Sequence, residues 1–177
     1  MIEKAIIFAT VAHEGQKRKA TDTPYILHPL EAANIVASIK YDPDLICAAI
    51  LHDTAEDVNV SISSIKTMFG EKVADLVLFQ SEDKSKSWKE RKQHTINVLT
   101  ESTDEDAIIV CLADKLSNMR SMYRDYKAQG DAIWERFNAP KSAQAWYYKG
   151  LKSAMILLEN YAAYKEYCLL VDEVYSG

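Results

Sequence analysis

The sequence is poor in the residues that make tight turns, with 5 glycines and 4 prolines among 177 residues. A β-rich chain needs many turns, and turns rely heavily on these two residue types. Their scarcity therefore argues against a β-rich fold. Apolar residues make up 48% of the chain, which excludes a disordered or fibrous protein. We expect one domain over residues 1–177, since a chain of this length can bury a sizeable core.

Cysteine is also scarce, and Cys47, Cys111 and Cys168 lie in apolar surroundings without the spacing of metal ligands. An odd, unclustered set predicts a reducing compartment and small buried side chains. No apolar run approaches the ~18 residues of a membrane span. Glu3 stands where a signal peptide would carry positive charge. We therefore expect a cytoplasmic protein that has no membrane partner.

Positive charge is not in excess, because the net charge is −5. General nucleic-acid binders carry a basic field, so this balance argues against a nucleic-acid partner. It still permits a small anionic ligand in a local basic pocket. The segment 16–19, Gln-Lys-Arg-Lys, is such a basic cluster. Alone it is typical of a solvated surface, whereas beside an acidic metal site it would supply the charge that a polyphosphate needs.

Apolar residues recur at helical spacing along nearly the whole chain. We predict an all-α bundle with irregular connections. Asp42, Ser61 and Asp104 are predicted helix starts, Gly130 a helix end, and the polar segment 81–87 a loop. The predicted helices cover residues 2–13, 29–39, 43–55, 62–68, 71–79, 87–100, 105–128 and 142–174, the last with an interruption near 159–161.

Titratable side chains lie at the ends of two strongly apolar stretches. His52 and Asp53 close one of them, and Glu56 and Asp57 follow one turn later; Asp114 follows the other. Charged groups in apolar surroundings are costly unless they are paired or bound to a metal. Three carboxylates so close together would also repel one another without a cation. The alternative is a helix end with solvated charges and a hydrogen-bonded histidine.

A second imidazole, before Pro29, completes a candidate metal site. Its four candidate ligands lie beside apolar stretches of the sequence: His28, His52, Asp53 and Asp114. This mixture of nitrogen and oxygen donors suits one Mn²⁺, Fe²⁺, Co²⁺ or Zn²⁺ better than Ca²⁺ or Mg²⁺. Taken singly, the histidine would more often be structural, and the last aspartate could simply pair with Lys115 or Arg120.

These motifs resemble the HD-domain metal phosphohydrolases, in which His-Asp-x-x-Glu-Asp is preceded by an isolated histidine and followed by a distant aspartate. The local sequence is more specific, because several segments resemble the hydrolase domain of the RelA/SpoT-type alarmone enzymes. They are residues 12–19, 23–33, 49–57, 112–120, 134–137 and 146–151. The resemblance spans essentially the whole chain and implies a stand-alone small alarmone hydrolase with a single HD-type helical domain.

The resemblance implies Mn²⁺-dependent hydrolysis of the 3′-pyrophosphate of guanosine tetra- and pentaphosphate. The implied metal ligands are His28, His52, Asp53 and Asp114. The implied residues that handle the attacking water are Glu56 and Asp57. The implied nucleotide contacts are Arg18, Lys17, Asn118, Ser121 and Tyr147 or Tyr148. The connection from Arg18 to His28 lacks the Ser-Gly of many long members and has one residue more, which leaves guanine specificity open.

Two other functions remain open at this point. One is an HD phosphohydrolase that acts on another small nucleotide, such as a nucleoside monophosphate or a nicotinamide dinucleotide phosphate. The other is a nucleotide-sensing module without turnover, although all four candidate ligands are present. The sequence also leaves open whether the chain forms a homodimer.

Overall fold

The computed structural model describes residues 1–19, 21–58 and 60–175, apart from the side chain of Asp57. Within these ranges no strand of a sheet occurs, and the one isolated β-bridge joins Lys17 to Pro24. The prediction of an all-α fold is therefore confirmed. The α-helices are α1 Ile2–Ala12, α2 Leu27–Ile39, α3 Pro43–Leu51, α4 Thr54–Asp57, α5 Ile62–Phe69, α6 Glu71–Gln80, α7 Trp88–Glu101, α8 Glu105–Gln129, α9 Lys141–Ala154 and α10 Ala162–Tyr175.

The helix boundaries largely follow local capping chemistry. The side chains of Asp42, Ser61 and Asp104 each accept a hydrogen bond from a backbone N–H in the first turn that follows. Gly130 ends α8 at a φ of 61°, a conformation that glycine adopts without strain. A 3₁₀ segment, Gly130–Arg136, continues the chain where no helix was predicted.

The predicted helix over residues 43–55 is wrong, because the chain breaks into α3 and α4. The hydroxyl of Thr54 donates to the carbonyl of Leu51 at 2.7 Å, and Nδ1 of His52 donates to the carbonyl of Ala49 at 2.7 Å. These side chains bond to carbonyls that a continuing helix would use. The start of α2 also differs from the prediction, since it begins at Leu27 and places His28 in its first turn.

Helix α8 forms the centre of the bundle. Its residues 107–114 are all buried, and it packs against α2, α3, α6 and α10. Helix α2 in turn packs against α3, so the first turn of α2, the end of α3 and the middle of α8 meet. That meeting point holds the candidate ligands.

The cysteines behave as small apolar side chains. Cys47 and Cys111 are buried, and burial raises the pKa of their thiols to about 11 and about 12. Both thiols therefore stay protonated and unreactive near neutral pH. Among the described residues, no helix is long and apolar enough to cross a bilayer.

Candidate metal centre and adjoining cleft

Four donor atoms from three parts of the chain face one point. Nε2 of His28 lies 3.2 Å from Oδ1 of Asp114 and 3.6 Å from Oδ2 of Asp53. Nε2 of His52 lies 3.0 Å from the same atom of Asp53 and 3.7 Å from the same atom of Asp114. The donor atoms of the two histidines and Asp114 all lie within 4.8 Å of one another. The structure thus brings all four candidate ligands together.

The two neighbouring ligands reach the same point from the end of a helix. His52 and Asp53 both keep helical backbone angles after Leu51, so their side chains leave the chain ~100° apart. Oδ2 of Asp53 nevertheless lies 3.0 Å from Nε2 of His52, so the candidate centre lies between these two directions, beyond the end of α3.

The donor set fits a divalent cation. The carbonyl of Ala49 can only accept, so Nδ1 of His52 carries the proton of that bond. Nε2 of His52 is buried and lies 3.0 Å from Oδ2 of Asp53, without the geometry of a hydrogen bond. A buried polar atom without a partner is costly. Once this nitrogen loses its proton, its lone pair beside two carboxylate oxygens is the environment that a transition-metal ion requires.

The pKa shifts reflect the same crowding of charges. Burial lowers the pKa of His28 below its ordinary 6.5. In His52 this desolvation is outweighed by the charges of Asp53 and Asp114, which hold its pKa well above 6.5. Burial also disfavours charge on Asp114, yet Lys115 and the two imidazoles hold its pKa well below its ordinary value. Only a neutral imidazole binds a metal, so a cation that binds here displaces the proton of His52.

Hydrogen bonds from neighbouring side chains hold the carboxylates of Asp53 and Asp114 in place. The hydroxyl of Tyr25 donates to Oδ2 of Asp53 at 2.7 Å. Asp114 accepts two further hydrogen bonds. Nζ of Lys115 donates to its Oδ2 at 2.5 Å, and the side-chain amide of Asn118 donates to its Oδ1 at 2.6 Å. The sequence offered a pair between Asp114 and Lys115 as an alternative to a metal site. In the structure Asp114 forms this pair through Oδ2 and at the same time faces the two histidines through Oδ1. Arg120 instead pairs with Glu31 and Glu166.

A cleft of about 220 Å³ adjoins this centre. Tyr25 and Asn118, which bond to Asp53 and Asp114, form part of its wall. Arg18 lines the same cleft and donates to Asn118 at 2.7 Å. The predicted nucleotide contacts that line it are Arg18, Asn118, Ser121 and Tyr148.

Two predicted nucleotide contacts do not line this cleft. Lys17 is exposed and pairs with Asp22 at 2.6 Å. Tyr147 is buried, and the centre of its ring lies 4.9 Å from the ammonium of Lys92. Burial keeps the pKa of its phenol far above the ordinary value. Adjacent helical residues point in different directions, so only Tyr148 of the pair reaches the cleft.

The residues predicted to handle water lie on α4. Glu56 is half-buried, and Lys84 from the polar loop 81–87 donates to its backbone carbonyl at 2.6 Å and lies 3.7 Å from its Oε1. The side chain of Asp57 lies outside the described residues.

Three residues around the ligands, two of them in direct contact with a ligand, were missed by sequence reasoning. Tyr25 bonds to Asp53, Ser117 bonds to His28, and Glu31 bonds to Ser117. Two of them had a detectable signal. Glu31 lies three residues after His28 and Ser117 three residues after Asp114, the spacing at which helical side chains are neighbours.

Comparisons with known proteins identify the family of this chain. A family model described as "HD domain" matches residues 5–142. The guanosine-3′,5′-bis(diphosphate) 3′-pyrophosphohydrolase of Aquifex aeolicus is 38% identical over 124 residues, which are 69% of this chain and 18% of that protein. The bifunctional (p)ppGpp synthase/hydrolase SpoT of Escherichia coli is 35% identical over 126 residues, which are 68% of this chain and 18% of that protein. The chain thus spans less than a fifth of the length of these two relatives.

Two solved structures match a larger share of this chain than these two relatives do. The crystal structure of lmo0812 from Listeria monocytogenes has a TM-score of 0.80 at 32% identity and covers 85% of this chain and 99% of its own. A structure described as a metazoan ortholog of SpoT, which hydrolyses ppGpp and plays a role in starvation responses, has a TM-score of 0.76 at 25% identity. It covers 99% of this chain and 93% of its own.

Proposed function

This chain belongs to the HD-domain family, and we propose that it is a metal-dependent enzyme that hydrolyses the 3′-pyrophosphate of guanosine tetra- and pentaphosphate. The products are pyrophosphate and GDP or GTP. The observation that carries the proposal is the approach of two imidazoles and two carboxylates to one point beside a cleft that contains Arg18. The names of the relatives support the same reaction.

The proposed metal ligands are His28, His52, Asp53 and Asp114, and the proposed ion is Mn²⁺, with Fe²⁺, Co²⁺ or Zn²⁺ as alternatives. When bound there, such an ion lowers the pKa of a water and polarises the scissile phosphate. Tyr25 bonds to the oxygen of Asp53 that faces the histidines, and Lys115 bonds to the oxygen of Asp114 that faces away from them. Hydrogen-bonded ligands of this kind keep their orientation.

Glu56 is the proposed general base, acting with Asp57. It lies on a short helix that begins directly after the ligand Asp53. A carboxylate at this position can orient a water or accept its proton. General-base catalysis of this kind contributes roughly 10²–10⁴ in rate.

The proposed nucleotide site is the adjoining cleft. Arg18 has its guanidinium carbon 5.7 Å from the ring centre of Tyr25 and is also held by Asn118. A planar guanidinium in a fixed position can stack on a base and donate to a phosphate. Ser121 and Tyr148 supply hydroxyl groups along the same wall. Lys17 pairs with Asp22 and does not line this cleft, so it is not part of the proposed nucleotide site.

The test is a substrate panel with purified protein and Mn²⁺. The panel contains guanosine tetraphosphate, guanosine pentaphosphate, a nucleoside monophosphate and a nicotinamide dinucleotide phosphate, with pyrophosphate and orthophosphate measured separately. We expect pyrophosphate from the first two, and no product from His52→Ala or after chelation. Orthophosphate from the others without action on the first two would favour a different phosphohydrolase. Binding without product would favour a nucleotide-sensing module.

We also propose that the HD-type domain extends through the described C-terminus. The family match ends at residue 142, but α9 packs on α7 and α10 packs on α8. Tyr167 of α10 is fully buried and donates to the backbone carbonyl of Tyr148 at 2.9 Å. The homodimer and the cytoplasmic location stay predictions, to be tested by light scattering and by cell fractionation.

A further inference from the structure

The outward-facing nitrogen of His28 begins a chain of side-chain hydrogen bonds. Nδ1 of His28 lies 2.8 Å from the hydroxyl of Ser117, and that hydroxyl lies 2.8 Å from Oε2 of Glu31. A hydroxyl has one proton, and an ionised carboxylate can only accept. Ser117 therefore donates to Glu31 and accepts from Nδ1–H of His28. With the proton on Nδ1, Nε2 presents its lone pair to the metal centre.

The chain of hydrogen bonds continues to the last helix, α10. Arg120 donates to Oε1 of Glu31 at 3.3 Å. Its other nitrogens form a fork with Glu166, at 2.6 Å from Nε and 2.7 Å from the terminal nitrogen. Glu166 lies on α10, beyond the residues that the family model matches. The guanidinium is thus fixed by α10 and in turn fixes Glu31 on α2.

We propose that Ser117 and Glu31 are positioning residues that hold His28 in its metal-binding tautomer, and that the Arg120–Glu166 fork on the C-terminal helix orients them. The burial pattern supports this role over a purely structural one. Glu31, Arg120 and Glu166 are about one third exposed, and ion pairs at such exposure contribute little to folding. His28 and Ser117, in contrast, are buried, so their hydrogen bond is protected from water.

The two histidines of the centre differ in the kind of group that bonds to Nδ1. Nδ1 of His52 donates to a backbone carbonyl, that of Ala49, which no substitution removes. Nδ1 of His28 depends entirely on side chains. The inference rests on the metal site and is independent of which nucleotide is hydrolysed. Metal affinity is therefore the appropriate measurement.

The experiment compares Mn²⁺ affinity, by competition with a chelator, in wild type and Ser117→Ala. We expect affinity to fall about 10- to 100-fold, the usual effect of removing a residue that orients a metal ligand. The melting temperature of the metal-free protein serves as the check on folding. Ser38→Ala is the matched control, because its hydroxyl on α2 bonds, among the residues that the structure describes, only to the carbonyl of Ile35 in the same helix. It should bind Mn²⁺ like wild type.

A double-mutant cycle tests whether Ser117 and Glu31 act as one unit. Glu31→Ala should also weaken Mn²⁺ binding, and Ser117→Ala/Glu31→Ala should lose little more than Ser117→Ala alone, because both changes break the same chain. Glu166→Ala should cause a smaller loss in the same direction. In the protein loaded with diamagnetic Zn²⁺, the Nδ1 proton of His28 should give a slowly exchanging NMR signal that Ser117→Ala abolishes.

Wild-type Mn²⁺ affinity in Ser117→Ala, or fully additive losses in the cycle, would overturn the positioning role. Unchanged Mn²⁺ affinity in Glu166→Ala would show that α10 has no part in positioning His28. A wild-type protein that binds no Mn²⁺ or Zn²⁺ would overturn the metal site itself. These outcomes are distinct from a failed substrate assay, since none of them requires turnover.

Discussion

Arg18 donates a hydrogen bond of 2.7 Å to the side-chain oxygen of Asn118, which lies 100 residues further along the chain. The amide of Asn118 in turn donates to Oδ1 of Asp114 at 2.6 Å. The guanidinium of Arg18 also faces the ring of Tyr25, which bonds to Asp53. The cleft wall and the candidate metal centre therefore share one hydrogen-bond network.

This network leads to a prediction for Arg18→Lys. Lysine keeps the positive charge but cannot stack a planar group on Tyr25 or donate in a fixed fork. We expect KM for guanosine tetraphosphate to rise clearly, with kcat reduced less than kcat/KM, because part of this binding is common to substrate and transition state. Steady-state kinetics and metal analysis are the measurements, and metal content should not change. A wild-type KM would reduce Arg18 to a surface charge.

The metal centre is tested by removing its ligands one at a time. His52→Ala and Asp53→Ala should each lose bound metal and activity together, since each removes a donor atom of the same centre. Metal content after gel filtration is the measurement. His94→Ala is the matched control, because this exposed histidine lies on α7 and is not one of the candidate ligands. Retention of a full equivalent of metal by His52→Ala would refute the ligand assignment.

Glu56→Gln separates chemistry from binding. The amide keeps the shape of the side chain but is a far weaker base, so turnover should fall by roughly 10² or more. Metal content and the dissociation constant for the nucleotide should stay near wild-type values. Glu173→Gln, an exposed carboxylate paired with Lys127, controls for loss of charge alone. Normal turnover in Glu56→Gln would assign this residue a structural role only.

Lys115→Met tests the partner of Asp114. The substitution leaves a largely buried carboxylate without its ammonium, and removing one partner of a buried pair costs about 3–5 kcal/mol. The free energy of unfolding in urea should therefore drop by about that amount in the metal-free protein. Added Mn²⁺ should recover part of the loss, because it binds only the folded state and supplies positive charge at Asp114. The exposed control Lys127→Met should change stability by less than about 0.5 kcal/mol.

Gly150 on α9 packs directly against Ile96 on α7. A Cβ at position 150 would lie 2.6 Å from Cδ1 of Ile96. Gly150→Ala should therefore destabilise the protein by about 1 kcal/mol or more through overpacking. In an Ile96→Val background, which lacks that methyl, the same change should stabilise the helix by about 1 kcal/mol, the propensity difference between alanine and glycine. Urea unfolding of the four proteins would show whether the sign reverses.

The helical class and several helix boundaries followed from local sequence. The scarcity of turn residues, the helical spacing of apolar residues, and the caps at Asp42, Ser61 and Asp104 act over a few residues. Sequence also singled out His28, His52, Asp53 and Asp114, because titratable groups in apolar stretches stand out. These signals are local, so the sequence by itself was enough to read them.

Only the tertiary structure decided which neighbours face the site. Arg18 and Lys17 are adjacent, as are Tyr148 and Tyr147, yet one of each pair lines the cleft. The fork from Glu166 through Arg120 to Glu31 joins three helices. The direction of Tyr147 and Tyr148 depends on how α9 rotates when it buries its apolar face, and that rotation is set by packing between segments far apart in the chain. Arg18 lies in an irregular connection, and its direction is set by contacts with Asn118 of α8 and with Tyr25.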